Sequence, residues 1–224
     1  MKIVILDTET SGLKPPEYGS GVVDIAIASV DEDFQVYWKV DSLIDPQCPI
    51  SPEAMGVHHI TPEMVDGKPN LEQFMREHYY PISDVDVVCG HRVGFDVGFV
   101  RDYLPEKYKV IDTLKLARSL WPNLDNHKLQ TIRYTFGLEA GSAHRAMGDV
   151  ITTISLMRLI AEQHGTDVHG LLALMNAPLS LDSKIAFGKH RGERLRDLPI
   201  NYVRWLVEKA DIELDLREAL AARL

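Results

Sequence analysis

Three short segments of the sequence carry acidic side chains at spacings that suit metal-dependent chemistry. In the first, Asp7 and Glu9 flank Thr8 directly after an aliphatic run. Residues i and i+2 of a strand point to the same face, so the two carboxylates would lie side by side. An isolated pair of this kind is more typical of a solvated turn or a helix cap. Further acidic groups must join the pair before it indicates a site.

The other two segments end at Asp96 and at Asp149. Asp96 follows a predicted buried strand, which is where α/β proteins tend to position their sites. It could instead cap a helix that begins near Val97. Asp149 immediately precedes the apolar Val150 in a predicted helix, so its carboxylate would lie beside a buried face, where an unpaired charge is costly. Asp149 therefore needs a partner.

Divalent cations would supply that partner. If four carboxylates from separate segments converge, each becomes a ligand, and hard ions such as Mg²⁺ prefer carboxylate and water oxygens. Two ions about 3.5–4 Å apart activate a water molecule and stabilise both oxygens of an in-line phosphoryl displacement. The sequence therefore predicts a two-ion site for phosphoryl chemistry, formed by Asp7, Glu9, Asp96 and Asp149.

A histidine accompanies the third acidic segment. His144 lies five residues before Asp149, ahead of the predicted helix, so it is better placed for loop chemistry than for metal binding from the same helical face. A neutral imidazole is a suitable general base for deprotonating the attacking water. The alternative is a surface histidine at a helix start. We interpret the other histidines, including His58 and His59, as structural.

Apolar patterns indicate the elements that must position these side chains. A helical spacing of apolar residues predicts a helix over 145–164 that ends at Gly165. Proline-rich and helical material fills 46–80. Short β-rich runs predict five strands, the first three forming an antiparallel meander, at 2–6, 21–30, 35–40, 86–90 and 110–113. Strands in a run, then strands alternating with helices, indicate an α/β fold with a mixed sheet covered by helices.

Composition excludes several classes of protein. The 224 residues are 45% hydrophobic and 25% charged, as expected of an ordinary globular enzyme. The N-terminal apolar run is too short for a signal peptide, and nothing approaches the roughly 20 apolar residues of a membrane span. Cys48 and Cys89 are interpreted as isolated thiols, so we expect a cytoplasmic location. The net charge of −9 argues against a general polyanion binder.

The locally basic stretch lies near the C-terminus. Residues 182–206 contain six Lys or Arg against three Asp or Glu. We predict a catalytic domain over 1–176, a linker over 177–183 and a small C-terminal segment over 184–224. Lys189 and Arg191 beside two glycines, with aromatic residues nearby, would suit DNA contact. The alternative is that the aromatics form the small core of this segment; they are Phe187, Tyr202 and Trp205.

The three ordered motifs resemble those of a known enzyme family. Asp-Thr-Glu-Thr, then His-x-x-x-Phe-Asp, then His-x-x-x-x-Asp is similar to the signature of the DEDDh exonucleases of the DnaQ-like superfamily. The likeness covers nearly the whole chain and extends through 54–61, 112–118, 120–122, 187–192 and 202–206. Asp24 departs from the pattern, since many relatives have glutamate there. Arg92 stands in place of a common asparagine, and it either contacts phosphate or belongs to a solvated loop.

The resemblance implies a fold, an activity and roles for individual residues. It implies an RNase H-like fold with a mixed five-stranded sheet, and removal of 5′-mononucleotides from DNA 3′ ends in repair or recombination. His144 would be the general base, and Thr10 and Leu13 would contact the terminal nucleotide. Two Mg²⁺ or Mn²⁺ ions would be held by Asp7, Glu9, Asp96 and Asp149.

Three other functions fit the same motifs. The superfamily contains exoribonucleases, so the motifs leave RNA open as a substrate, and the basic C-terminal segment favours DNA only through family likeness. A polymerase proofreading subunit would share the site and differ in its protein partner. A non-catalytic nucleic-acid-binding module would keep the fold and release no nucleotide. The sequence identifies no protein partner.

Overall fold

A mixed five-stranded sheet forms the centre of the protein. The computed structural model describes residues 1–13, 19–78, 82–141, 143–177, 179–185, 187–212 and 214–224. The strands are β1 (Ile3–Thr10), β2 (Val22–Val30), β3 (Val36–Leu43), β4 (Val87–Gly90) and β5 (Lys109–Asp112). Their spatial order is β3-β2-β1-β4-β5, with β1, β2 and β3 antiparallel and β1, β4 and β5 parallel. The predicted meander and α/β fold are confirmed.

Helices cover both faces of the sheet. Those within the described residues are α1 (Pro52–His58), α2 (Pro62–Val65), α3 (Leu71–His78), α4 (Val93–Val100), α5 (Thr113–Leu120), α6 (Leu129–Phe136), α7 (Ala146–His164), α8 (Val168–Met175), α9 (Ile200–Lys209) and α10 (Leu214–Ala221). The predicted helix over 145–164 is confirmed as α7, and Gly165 ends it in the left-handed conformation with φ 57°. In the described parts of the chain, no helix is long and apolar enough to cross a membrane.

The alternation of side chains along β1 assigns each residue to one of two cores. Ile3 and Ile5 pack with Val150 of α7 in the larger core. Val4 and Leu6 pack on the opposite face, in the core that includes residues of α3 and α4. Because Asp7 continues the odd-numbered series, β1 directs its acidic end toward α7. The end of β1 is therefore the place where α4 and α7 can both contribute side chains.

The C-terminal residues form a third, separate core. It consists of Ile185, Leu195, Leu198, Tyr202, Val203, Leu206 and Leu220. Leu179 and Leu181 of the predicted linker pack against it, and Pro178 lies outside the described residues. This C-terminal unit is attached to α5, because Lys115 forms an ion pair with Asp215 at 3.3 Å. The exact boundaries at 176 and 184 remain predictions.

Candidate active site

Strand β1 carries the first acidic pair. The strand extends to Thr10, further than the sequence predicted, because β2 pairs with it to the end, with a register shift between Glu9 and Thr10. Asp7 lies opposite Ala26 of β2, and Glu9 lies opposite Asp24. The two carboxylates are two residues apart in one extended strand and therefore point to the same face. The predicted side-by-side arrangement of Asp7 and Glu9 follows directly from this pairing.

Helix α4 supplies Asp96. The helix begins at Val93, after Arg92 adopts a left-handed φ of 69°, so Asp96 lies inside the helix and the alternative of an N-cap is wrong. The side chain is buried. Its Oδ1 accepts hydrogen bonds from the Thr8 backbone N–H at 2.9 Å and from Thr8 Oγ1 at 2.8 Å. Thr8 thus joins the first two acidic segments, and Oδ2 accepts no hydrogen bond from the described residues.

Helix α7 supplies Asp149 in its first turn. This carboxylate requires a partner, and Gln130 of α6 is one. Its Nε2 donates to Asp149 Oδ1 at 2.7 Å. Arg133 Nη1 donates to Gln130 Oε1 at 3.2 Å, which fixes the amide with its NH₂ toward Asp149. Sequence reasoning missed Gln130, and no local pattern in α6 distinguishes it from a surface residue. One oxygen of Asp149 remains for another ligand.

The pKa directions show that the four carboxylates share one electrostatic environment. Burial raises the pKa of Asp7 well above its usual range, and the charges of Asp96, Asp149 and Glu9 raise it further. Burial and then Asp149 raise the pKa of Glu9 to about 8. Burial raises the pKa of Asp96 to about 7 against the opposing Thr8 hydrogen bonds, and burial also raises that of Asp149. Like charges this close favour protonation unless cations neutralise them.

This donor set fits divalent cations. Carboxylate oxygens are the ligands that Mg²⁺ and Mn²⁺ prefer, and each of Asp96 and Asp149 keeps one oxygen clear of the hydrogen bonds described above. The residues available to hold the ions are Asp7, Glu9, Asp96 and Asp149. The assignment of these four carboxylates as ion ligands stays a prediction, and metal binding would relieve the repulsion that raises their pKa values.

His144 lies at the mouth of the site. It is exposed, has a φ of 56° and precedes α7 by two residues. A ring nitrogen of His144, a carboxylate oxygen of Glu9 and one of Asp149 lie within 4.8 Å of one another, close enough to hold a metal ion together. The structure thus brings His144 to the predicted carboxylates. It offers two roles for the imidazole, as a base or as a ligand.

An ion pair between a buried carboxylate and a half-exposed arginine fixes the start of α7. Asp24 of β2 is 1% exposed. Its Oδ2 accepts from Arg145 Nε at 2.7 Å and from the Ala146 backbone N–H at 3.3 Å, while Oδ1 is buried without a hydrogen-bond partner among the described residues. Burial raises the pKa of Asp24, and Arg145 opposes that shift. Sequence reasoning noticed Asp24 only as a departure; the structure shows that it anchors the residue next to His144.

Of the two predicted nucleotide contacts, Thr10 ends β1 and Leu13 lies in the turn after it. Thr10 is buried, and its Oγ1 donates to the Gly12 carbonyl at 2.8 Å. Leu13 is 87% exposed. His58 supports the same turn, because its Nδ1 accepts from the Ile60 N–H and its Nε2 lies 3.3 Å from the Thr10 carbonyl. The structural interpretation of His58 is therefore supported, and Thr10 shapes the turn that presents Leu13 to solvent.

The remaining predicted contacts lie on the C-terminal unit. Lys189 and Arg191 are exposed in the turn region that precedes α9, and the structure does not place them among the carboxylates. Cys48 and Cys89 are free thiols, as expected. Burial raises the pKa of the Cys89 thiol, so this residue is an inert part of the core.

The raised pKa values predict how stability depends on pH and metal. Glu9 binds its proton more tightly in the folded protein, with a pKa of about 8 against an ordinary 4.5. Its contribution to stability is therefore present at low pH and lost as the pH rises from about 5 to about 8. Mg²⁺ binds the deprotonated carboxylates, so we expect its stabilising effect to grow over the same range. Thermal unfolding with Mg²⁺ or with EDTA at several pH values measures both trends.

The Glu9→Gln variant is the control for this pH dependence. Burial lowers the pKa values of His58 and His91, so these two histidines favour the folded state as the pH rises through about 6.5, in the opposite direction. Both histidines are present in wild type and in Glu9→Gln, so their effect on stability cancels when the two proteins are compared. In EDTA we expect Glu9→Gln to lose less stability than wild type between about pH 5 and about pH 8. Identical curves would contradict the assignment of Glu9 to the acidic cluster.

Comparison with known proteins identifies the family. The family model described as Exonuclease (RNase_T) matches residues 4–157, a segment that contains all five predicted catalytic residues. The C-terminal unit lies outside this match. Exodeoxyribonuclease 10 of Escherichia coli K12 is 34% identical over 215 residues, which cover 92% of this chain and 91% of that protein. The similarity to this exonuclease therefore extends beyond the catalytic segment.

Two further similarities bear on fold and context. A solved structure of exonuclease X in complex with 5′-overhanging duplex DNA superimposes with a TM-score of 0.63 at 30% identity, covering 78% of this chain and 99% of that one. The PolC-type DNA polymerase III of Halalkalibacterium halodurans is 30% identical over 174 residues, which cover 75% of this chain and 12% of the polymerase. The first match confirms the predicted RNase H-like fold with its mixed five-stranded sheet.

Proposed function

This chain belongs to the exonuclease family of the DnaQ-like superfamily and is a nuclease; on that premise we propose that it is a metal-dependent 3′-to-5′ exodeoxyribonuclease that releases 5′-mononucleotides. One observation carries the proposal: the acidic groups of β1, α4 and α7 converge, since Thr8 hydrogen-bonds Asp96 and since carboxylate oxygens of Glu9 and Asp149 lie within 4.8 Å of each other. A cluster of this kind is stable only when protonated or when neutralised by cations, and phosphodiester hydrolysis uses such cations.

The four carboxylates would hold two Mg²⁺ or Mn²⁺ ions. Asp7 and Glu9 present their side chains from the strand, while Asp96 and Asp149 present theirs from the two flanking helices. When bound, such ions neutralise charge on the phosphate and lower the pKa of an attacking water. The protein's contribution is rigidity, because Thr8 holds Asp96 and Gln130 holds Asp149 through hydrogen bonds shorter than 3 Å.

His144 is proposed as the general base that removes a proton from the attacking water. It is exposed and lies next to Glu9 and Asp149, so it can reach a water molecule at the edge of the acidic cluster. The Asp24–Arg145 ion pair fixes the adjacent residue at 2.7 Å, which limits the positions that His144 can adopt. A positioned base of this kind contributes about 10²–10⁴ to the rate.

Substrate contacts are proposed at two places. Thr10 ends β1 directly after Glu9, and Leu13 lies in the turn beyond it, where the terminal nucleotide of a 3′ end would bind. Lys189 and Arg191 of the C-terminal unit are exposed cations in a chain of net charge −9, and they would contact the phosphates of the DNA. The structure of exonuclease X with duplex DNA supports DNA as the substrate class.

The proofreading alternative is a subunit bound to a polymerase. Two matches support it: the PolC-type polymerase, of which 12% is covered, and the DNA polymerase III subunit epsilon of Treponema pallidum, which is 30% identical over 166 residues and covered to 75%. Exodeoxyribonuclease 10 is 34% identical and covered to 91%, and its similarity extends beyond residues 4–157, so the exodeoxyribonuclease is the better-supported proposal. Copurification of the chain with a polymerase would favour the alternative.

The substrate is tested with 3′-labelled DNA and RNA of identical sequence. We expect Mg²⁺ or Mn²⁺ to permit release of a labelled 5′-mononucleotide from DNA, and EDTA to stop it. Faster release from RNA would favour an exoribonuclease. No release from either strand with either ion would favour the non-catalytic binding module.

A further inference from the structure

The C-terminal unit exposes two large aromatic side chains. Trp205 is 51% exposed and Phe187 is 42% exposed, whereas Tyr202 is buried in the core of the unit. The alternative that the three aromatics form this core therefore holds for Tyr202 alone. An exposed tryptophan on a unit with only a small core requires another explanation, because burying its ring would have been favourable.

Trp205 forms part of a shaped surface. Its ring stacks on Tyr202 with 5.7 Å between centroids and 16° between planes. Lys189 Nζ lies 5.2 Å from the Tyr202 ring centroid. Together with Gly188 and Asn201, these side chains line a concavity of about 460 Å³. We refer to Lys189, Tyr202 and Trp205 as the aromatic-basic face.

A glycine permits this arrangement. Gly188 has a φ of 71°, and a Cβ at this position would lie 2.3 Å from Tyr202 Oη. Any other residue would displace the ring or the turn, so Gly188 allows the backbone carrying Lys189 to approach Tyr202. The geometry of the concavity is therefore specified by the sequence Gly188-Lys189 together with Tyr202.

The charge of the unit favours an anionic partner. Arg194 and Arg196, two further cations of the basic stretch over 182–206, are paired with Asp182. In the parts of the unit that the structure describes, Lys189 and Arg191 form no ion pair and are exposed. Lysine is depleted at protein interfaces, whereas cations beside stacking aromatics are typical of single-stranded nucleic acid sites.

The C-terminal unit is attached near the carboxyl ends of β4 and β5, in the sheet that also carries the active site. Asp215 pairs with Lys115 of α5. Leu214 and Asp215 of α10 line a cleft of about 330 Å³ together with Arg92 and Asp112. Arg92 follows β4, and Asp112 is the last residue of β5. Asp96 lies in α4, the helix that follows β4. Because β1, β4 and β5 are parallel, the C-terminal unit is fixed at the same end of the sheet as Asp7 and Glu9.

We propose that the aromatic-basic face binds a single-stranded segment of the substrate, with a base stacked on Trp205 and phosphates beside Lys189 and Arg191. The identity of this ligand rests on the proposed function. Stacking on a ring accepts every base, so the site would retain the strand without selecting a sequence. Tyr202 supports the indole from beneath, and Lys189 places a positive charge at the rim of the concavity.

The test measures binding of the full chain to a fluorescein-labelled oligothymidylate by anisotropy in EDTA, where no hydrolysis occurs. We expect Trp205→Ala to weaken binding at least about 5-fold, the loss produced by removing one stacking aromatic. Trp205→Phe retains a ring and is expected to retain most of the affinity. Lys189→Ala should reduce the slope of log K against log salt by about 1.

Two controls separate this surface from non-specific effects. Tyr37 and Lys39 are an exposed aromatic and an exposed cation on β3, so Tyr37→Ala and Lys39→Ala should bind as wild type does. Equal affinity of Trp205→Ala and wild type would overturn the proposal, as would equal weakening by Tyr37→Ala. Because binding is measured without metal, these results do not depend on catalysis. Failure of wild type to release nucleotides from DNA would contradict the proposed function separately.

Discussion

Replacing Asp7 by asparagine is expected to lower kcat by about 10³–10⁴-fold, because the metal-dependent stabilisation of the transition state amounts to several kcal/mol. Asp7 is the carboxylate whose pKa all the other acidic groups of the site raise, which places it at the centre of the cluster. Asparagine keeps the shape and removes the charge. The rate of mononucleotide release from 3′-labelled DNA in Mg²⁺ measures the effect.

The same substitution should leave the fold intact. In EDTA above about pH 7 we expect Asp7→Asn to unfold at a temperature no lower than wild type, since it removes like-charge repulsion between buried groups. Asp125→Asn is the matched control, because Asp125 is exposed and lies outside the cluster. If Asp7→Asn released nucleotides within about 10-fold of the wild-type rate, the carboxylate cluster would not be the catalytic site.

Replacing His144 by alanine is expected to slow hydrolysis by about 10²–10⁴-fold, the contribution of a general base, while Mn²⁺ affinity stays close to that of wild type. The second readout is essential, because a ring nitrogen of His144 lies within 4.8 Å of oxygens of Glu9 and Asp149. Pre-steady-state release and Mn²⁺ titration by electron paramagnetic resonance measure the two quantities independently.

The two roles of His144 give different results in this experiment. A base affects the rate alone, whereas a ligand affects the rate and the Mn²⁺ affinity together. His164→Ala is the matched control, since His164 is an exposed histidine at the other end of α7. A wild-type rate for His144→Ala would exclude both roles. Loss of Mn²⁺ affinity together with the rate would show that His144 is a metal ligand and not the general base.

Local patterns predicted the parts of the molecule that depend on periodicity. The two-residue alternation of β1 is sufficient to place Asp7 and Glu9 on one face, and the helical spacing over 145–164 is sufficient to place Asp149 at the start of α7. The N-cap alternative for Asp96 failed because the chain enters α4 through a left-handed Arg92, four residues before Asp96. A single residue with positive φ leaves no hydrophobic pattern to detect.

Long-range contacts could not be predicted in the same way. Gln130 meets Asp149 across 19 residues, and Asp24 meets Arg145 across 121. Each contact depends on how α6 and β2 pack around α7, and neither residue type is unusual in its own segment. The exposure of Trp205 was missed for a related reason, since its spacing on α9 is compatible with the core and only the assembled unit shows the ring facing solvent.

The most direct test of the two-ion site is an anomalous difference map from a crystal of the wild-type protein soaked in Mn²⁺ with a nucleoside 5′-monophosphate. We expect two peaks about 3.5–4 Å apart, both in contact with Asp7, with further ligands from Glu9, Asp96 and Asp149 and with His144 unligated. A single peak held by Glu9, His144 and Asp149, with none near Asp96, would contradict the four-carboxylate site and the base role of His144.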